Sequence, residues 1–237
     1  MEKRSKTGKV ALVPWDPDST EHRERLYQQR IACGWKSDMV DKWQGLQRDG
    51  KMAIQWVVLS DDDPERDSRL ALHILQFPGE KESILDSATT FGGKPRMLPN
   101  SPRHFIPVGH ISLDSENPDP SLADPSQGLY CISTFYISRA LQGVGLGRAA
   151  MDAVEGMAMQ APLYAKTLAL DTVSREVYLN EEVWKALGIP FPELTNQDWY
   201  ERRGYKVYKR VEHYYEEEGP TGKIVLIPAV FMKKSVM

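Results

Sequence analysis

Residues 129–148 read LYCISTFYISRALQGVGLGR, and their order decides the fold. Leu129–Ile137 is a run of apolar, β-branched and aromatic residues, which predicts a strand. Gly143, Gly145 and Gly147 follow at alternate positions. From Leu146 to Met159 the residues Ala150, Met151, Val154, Met157 and Ala158 then recur at helical spacing, which predicts a helix with one buried face. A strand, a glycine turn and a helix N-terminus in direct succession form an anion site. The first N–H groups of a helix have no internal acceptor, the helix dipole adds roughly half a positive charge there, and glycine lets the main chain approach a phosphate without an intervening Cβ. A Gly-x-Gly-x-Gly turn also occurs in loops that hold nothing, so the motif alone does not decide the matter. Two better-known phosphate loops are excluded. Gly147-Arg148-Ala149 lacks the Lys-Ser/Thr that ends a Walker loop, and the glycine spacing is one residue short of the dinucleotide fingerprint.

Working outward, Lys9–Val13 reads as a first strand stopped by Pro14-Trp15-Asp16-Pro17. Ser19 or Thr20 can cap a helix, although His22 and Arg23 stand where a capping box wants an acid or amide. Leu26, Arg30 and Cys33 mark one face of that helix. Met39, Val40, Trp43 and Leu46 mark a second helix over Ser37–Gln47. Met52–Leu59, Phe105–Leu113, Lys166–Val173, Tyr205–Tyr215 and Lys223–Met232 read as strands, the last two joined around Gly219-Pro220-Thr221-Gly222. A helix ends at Tyr200–Gly204. Leu70–Phe77 fits a strand or a short helix, and about 60–104 reads as a partly ordered insertion. The order β-α-α-β-β-β-α-β-α-β-β says mixed α+β.

With 237 residues, 41% of them hydrophobic, the chain can bury a proper core. The balance of 30 basic and 33 acidic residues argues against a nucleic-acid partner. The two cysteines, Cys33 and Cys131, are too far apart in sequence for a metal or redox motif, so no metal site is expected. The charged start MEKRSK leads into no signal peptide, and no stretch approaches a membrane span. A soluble, cytoplasmic protein without membrane association is expected, as monomer or homodimer. Asp61-Asp62-Asp63 and Glu216-Glu217-Glu218 read as solvated turns or as attractors for a polyamine.

Gln142-x-x-Gly145-x-Gly147, preceded by its hydrophobic strand, resembles the Gln/Arg-x-x-Gly-x-Gly/Ala signature of the GNAT acetyltransferase superfamily. Trp199-Tyr200-Glu201-Arg202-Arg203-Gly204-Tyr205 is similar to that family's Tyr-Glu-Lys-x-Gly-Phe segment, and Val230-Phe231-Met232-Lys233-Lys234 to its last strand. The resemblance covers Ile106–Lys234. It implies one domain over 1–237, a mostly antiparallel central sheet flanked by helices, and insertions at about 60–104 and 174–198. It also implies an N-acetyltransferase that moves acetyl directly from acetyl-coenzyme A to a primary amine of a small molecule.

By the same resemblance, the backbone of Gln142, Gly143, Val144, Gly145, Leu146, Gly147 and Arg148 holds the cofactor's diphosphate. The main chain of Phe135, Tyr136 and Ile137 pairs with its pantetheine arm. The Arg148 side chain is either a phosphate ligand or a solvated helix arginine. Tyr200 is the candidate acid that protonates the leaving thiolate, against the alternative of an aromatic packed beside Trp199 and Tyr205. For the group that deprotonates the amine, Leu129–Ile137 offers no acid. Asp171 is the first candidate, His110 the second and Glu116 a weaker third, each with an ordinary structural role as the alternative. Cys131 reads as core. The link Ser174–Asp198 departs from the family pattern. Asn180 and Asn196 fall off the usual spacing from Tyr200, and a helix is predicted over Glu181–Leu187. Trp184 and Phe191 of this insert, together with the first insert, are expected to shape an acceptor pocket. A lysine or N-terminal protein acetyltransferase, and a non-catalytic coenzyme A-binding module, remain the competing functions.

Overall fold

The computed structural model describes residues 9–178, 195–218 and 221–237. The helix predicted over Glu181–Leu187, with Asn180, Trp184 and Phe191, and the turn residues Gly219 and Pro220 lie outside them.

Seven strands form one sheet: β1 (Val10–Pro14), β2 (Ile54–Leu59), β3 (Pro107–Asp114), β4 (Leu129–Ile137), β5 (Thr167–Val173), β6 (Lys206–Glu218) and β7 (Ile224–Ser235). Their spatial order is β1-β2-β3-β4-β5-β7-β6. Every neighbouring pair is antiparallel except β4 and β5. The glycine turn and helix α4 (Leu146–Ala158) supply the crossover between those two, as a parallel pair requires.

The sheet is covered on both faces. On one, α4 presents Leu146, Ala150, Met151, Val154 and Ala158 to Val57, Val108, Ile111, Tyr130, Ile132 and Leu170. On the other, α1 (Thr20–Cys33) and α2 (Val40–Arg48) bring Leu26, Val40 and Trp43 against Trp15, Ile54 and Trp56. Helix α1 begins where Ser19 accepts from the His22 N–H at 3.3 Å and ends at Gly34, whose φ of 88° stops it. Most of what α1 buries is polar: His22, Arg25, Gln29 and Arg30.

The partner of that polar face is the 60–104 segment, which is more ordered than its composition suggests. Leu70–Phe77 resolves as part of a helix, α3 (Arg66–Gln76), and two short ladders follow, 84–85 with 104–105 and 90–91 with 94–95. Arg25 donates to the Glu82 carbonyl at 2.7 Å, Gln29 Nε2 to Glu80 at 2.8 Å, and His22 Nε2 to the Leu85 carbonyl at 2.7 Å. Three of the four buried polar side chains of α1 thus find an acceptor in the insertion, and Arg30 turns instead to the Trp35 carbonyl. Sequence periodicity missed this because the matching residues are polar on both sides. No helix among the described residues is long and apolar enough to cross a membrane.

Beyond a single helical turn at Arg175–Tyr178, helix α5 (Asn196–Arg202) is capped by Thr195, which accepts from the Asp198 N–H at 3.0 Å. Its far end is anchored to α4 through Glu155. That carboxylate takes Arg203 at 3.0 Å, the Tyr205 hydroxyl at 3.1 Å and Lys234 at 2.6 Å. Removing one member of a buried ion pair costs roughly 3–5 kcal/mol. Arg203 keeps a second carboxylate, Asp152, at 2.7 Å, so Glu155→Ala is expected to lower stability by about 2–3 kcal/mol in urea unfolding. Glu155→Gln, which keeps the acceptor for Tyr205, is expected to lose less.

Candidate active site

Strands β4 and β5 run side by side for three residue pairs only, Leu129–Thr167, Tyr130–Leu168 and Cys131–Ala169. Past Cys131 no strand of the described residues pairs with β4 on that side, so its main-chain groups face an opening. The other side of β4 stays on β3, with a slip: His110 lies opposite Tyr136, but Ser112 lies opposite Ser133. The extra residue is a bulge. Thr134 within it has a φ of 47°, a conformation a β-branched residue enters only at a cost. Bulge and parting of strands fall at the same place on β4.

The opening leads into a cleft of about 1110 Å³. Phe135, Tyr136 and Ile137 line it along β4, and Gln142, Gly143, Gly145, Gly147 and Arg148 line it along the turn. Gly143 and Gly145 are exposed and have φ of 82° and 88°. Gly145 is the N-cap of α4 and offers no capping side chain, so the first helical N–H groups are left for another acceptor. Gln142 folds back to donate to the Ile137 carbonyl at 3.1 Å, which ties the turn to the strand end. Leu146 faces inward, 1% exposed, and anchors the turn in the core, while the Val144 side chain points to solvent. Neither lines the cleft with its side chain.

The glycines differ in what they demand. At Gly145 the left-handed backbone is the constraint, since a Cβ there would meet only the flexible tip of Lys9, at 3.7 Å. A Cβ at Gly147 would rest 3.7 Å from Phe135 and 3.8 Å from Trp199, ordinary contact without a clash. Neither position would bring a Cβ into a clash with the protein itself. A side chain on Gly147 would instead occupy the groove.

Three cations stand along the cleft: Lys9, Arg139 and Arg148. Lys9 Nζ donates to the Val144 carbonyl at 3.1 Å, which places an ammonium at the turn from the start of β1. Sequence reasoning named Arg148 and missed two cations: Lys9, because only the closed sheet brings β1 beside α4, and Arg139, which stands in the local link between β4 and the glycine turn. It also missed Trp199 as lining. The Trp199 ring lies 6.2 Å from that of Phe135 and 5.0 Å from that of Tyr200, and Thr195, Asn196 and Tyr200 complete the α5 wall.

The expected proton acceptors are elsewhere. His110 is fully buried behind Tyr136, its ring 5.5 Å from the tyrosine ring. Nδ1 donates to Gln29 Oε1 at 2.9 Å, and Nε2 faces Arg30 Nη1 at 3.4 Å. Burial and then the Arg30 charge push its pKa well below the usual histidine range. It is a neutral, fully engaged group outside the cleft. Asp171 also lies outside the cleft lining, and its carboxylate accepts a short hydrogen bond from the Tyr215 hydroxyl. Glu116 is paired with Lys51 at 3.2 Å. Cys131 is fully buried, and burial raises its thiol well above the ordinary range, which agrees with a core role.

One buried acid went unnoticed in the sequence. Asp114, at the end of β3, is 6% exposed. Burial pushes its pKa up from 3.8 to about 7, outweighing the hydrogen bond from Ser133.

No family model matches the chain, and no curated protein matches it in sequence. Solved structures do match in shape. Arabidopsis thaliana NAA60 in complex with acetyl-CoA superposes with a TM-score of 0.52 at 13% identity, over 95% of this chain and 98% of that one. A putative acetyltransferase of the GNAT family from Desulfovibrio desulfuricans gives 0.51 at 12%, over 96% and 99%. An aminoglycoside 6'-N-acetyltransferase complexed with coenzyme A gives 0.51 at 12%, over 96% and 97%. The chain has the GNAT acetyltransferase fold.

The buried carboxyl gives folding a defined pH dependence. Between pH 3.8 and about 7 the folded protein holds a proton on Asp114 that the unfolded chain has released. This contribution is therefore fully present below the lower value and is lost as pH rises to the upper one, by up to about 1.4 kcal/mol per pH unit. The stability difference between the protein and Asp114→Asn, followed by urea unfolding from pH 4 to 8, is expected to shift toward the variant across that window and to level off above it.

Proposed function

We propose that this chain is an acetyl-coenzyme A-dependent N-acetyltransferase that acts by direct transfer on a primary amine of a small molecule. The observation that carries this reading is the continuity of one cleft, from an exposed glycine turn at a helix N-terminus to an unpaired strand edge. The turn suits a diphosphate, and the edge suits an extended amide-bearing arm that adds to the sheet as a strand would. The fit extends to charge, since Lys9, Arg139 and Arg148 stand on the phosphate side of the cleft.

When bound, acetyl-coenzyme A supplies an acetyl thioester. The residues of the chain do the rest. The N–H groups of 143–148 and the three cations hold the diphosphate. The main chain of Phe135, Tyr136 and Ile137 would pair with the arm and orient it along β4. Tyr200, on the α5 wall, gives its phenolic proton to the departing sulfur, a role open to a group that is protonated at neutral pH. Phe135 and Trp199 narrow the groove and keep water from it.

The acceptor side favours a compact amine. Arg30 holds the carbonyl of Trp35 at 2.8 Å, and the Trp35 ring meets that of Tyr215 edge-on at 5.7 Å. The α1–α2 link thus reaches the β6–β7 hairpin, and a rim closed there would suit a free amine better than a residue within a folded protein surface. The aminoglycoside enzyme and RimL, a ribosomal L7/L12 alpha-N-protein acetyltransferase that superposes with a TM-score of 0.51, share the fold but differ in acceptor by name, so the fold alone does not choose.

A thiol-release screen of amines, amino acids, aminoglycosides and peptides with acetyl-coenzyme A tests the reading. Turnover on a small amine is expected. Binding of the cofactor with no turnover on any acceptor points instead to a non-catalytic binding module. Gly145→Glu is expected to abolish cofactor binding by calorimetry while the fold persists, and Lys9→Ala to weaken it about five- to tenfold, the loss of one charge-assisted contact. Tyr200→Phe is expected to lower kcat by about tenfold or more with KM little changed. Unaltered turnover in that variant removes Tyr200 as the acid.

A further inference from the structure

The sheet face opposite α4 carries a polar chain that the cleft does not use. Asp114 lies across the ladder from Cys131, and Ser133 is two residues further along β4 on the same face. The Ser133 hydroxyl donates to Asp114 Oδ2 at 2.5 Å, and the Ser112 hydroxyl lies 2.8 Å from that of Ser133. Asp114 and Ser112 are buried, whereas Ser133 is half-buried, so Ser133 is the open end of the chain. The Ala53 amide is near enough to favour the carboxylate, but Oδ1 accepts no hydrogen bond of ordinary geometry among the described residues. No cation pairs with the carboxylate among them either.

Position gives this chain its meaning. Cys131 is the last residue of β4 held by β5. Ser133 therefore stands past the last pair with β5, directly before the Thr134 bulge and two residues before Phe135, where β4 begins to line the cleft. On the acetyltransferase reading, the thioester and the amine would meet beside this stretch.

We propose that the Ser133 hydroxyl takes the proton from the acceptor ammonium and passes its own to Asp114, the positioning residue that stores it. This rests on the acetyltransferase reading and adds the group that reading lacks. The ammonium gives one proton to Ser133 Oγ as the Ser133 proton moves to Asp114. The freed nitrogen lone pair forms the bond to the acetyl carbon while the carbon–sulfur bond breaks. The departing sulfur takes the Tyr200 proton, and the phenolate regains one from the nitrogen as the amide forms. Asp114 returns its proton to solvent through Ser133 once product leaves.

A carboxyl with a pKa near 7 is partly ionised at neutral pH and returns a proton readily, as such a store requires. The titratable and charged groups around it are Cys131 on β4, Asp171 on β5 bound by Tyr215 of β6, and the Lys51–Glu116 pair beside the end of β3. The negative charge of Asp171 raises Asp114 further. Ser133 lacks an independent acid function, and this explains why a scan of the strand for carboxylates passed over it.

The test is the pH profile of kcat/KM with an amine found by the screen, on variants first shown by calorimetry to bind acetyl-coenzyme A. The unaltered protein is expected to lose activity on the acid side with a midpoint near 7. Asp114→Asn is expected to fall about tenfold or more and to lose that limb. Ser133→Ala is expected to fall similarly in kcat, and Ser133→Thr, which keeps the hydroxyl, to recover most of it. Carbon-13 NMR of the free protein is expected to show a carboxyl titrating near neutral pH that vanishes in Asp114→Asn. A limb that survives in Asp114→Asn overturns the relay and leaves acetyl transfer standing. So does an Asp114 carboxyl that titrates in the ordinary acid range, and that result needs no turnover. A chain that binds acetyl-coenzyme A yet releases no thiol with any amine overturns both readings together.

Discussion

The parting of β4 from β5 is the constraint on which the site depends. Three ladder pairs hold the two strands, ending at Cys131–Ala169. Beyond them, each strand follows a different neighbour: β4 stays on β3 and β5 on β7. A sheet that stayed paired would satisfy its own main chain and have nothing to offer a ligand. Here the unsatisfied edge is sheltered inside the domain, between α4 and α5 on one side and the α1–α2 layer on the other. The domain thereby provides a strand-pairing site without presenting an outer edge to aggregation. The bulge at Thr134 keeps β4 attached to β3 while shifting the register beside the opening.

Around that opening the two faces of β4 have separate duties. Phe135 and Ile137 look toward α4, where the glycine turn and the cations are. Ser133 and Tyr136 look toward α1, with Ser112, Asp114 and His110 behind them. A single strand thus separates the surface that suits a phosphate-bearing cofactor from the surface where acid–base groups collect. The bulge makes this possible, because it changes the parity of β4 between Ser133 and Tyr136 and keeps both on the α1 side.

Much of this was legible in residue order. Leu129–Ile137, the glycines and the periodic helix after them sufficed for the strand, the turn and α4, because local pattern alone fixes those elements. The residues of β4 and the turn that line the cleft fall in the same stretch. The group proposed to store the proton does not. Asp171 and His110 were reasonable choices by type and strand position, but type says nothing of what already occupies a side chain. His110 is spent on Gln29 and Arg30, and Asp171 on Tyr215. Asp114 was hidden for a related reason. It reads as the polar residue that ends a strand, and its unusual state comes from burial by elements far off in sequence. Lys9 was missed because nonlocal closure of the sheet decides that it reaches the turn.

The 60–104 segment is the clearest case of a polar stretch with a hidden architectural duty. His73 on α3 meets the Ser138 hydroxyl at 2.9 Å, at the residue that joins β4 to the glycine turn. The other ring nitrogen of His73 lies 3.5 Å from Glu80, which in turn holds Gln29 of α1. An inserted segment wired in this way cannot open as a private fluctuation. Partial unfolding that frees α3 also strips the hydroxyl partner from Ser138 and the acceptors from α1, so amide exchange in the insertion and in the turn should share one opening free energy. Evolution can vary the outer surface of this segment, but shortening it would loosen the grip at the far end of the sheet.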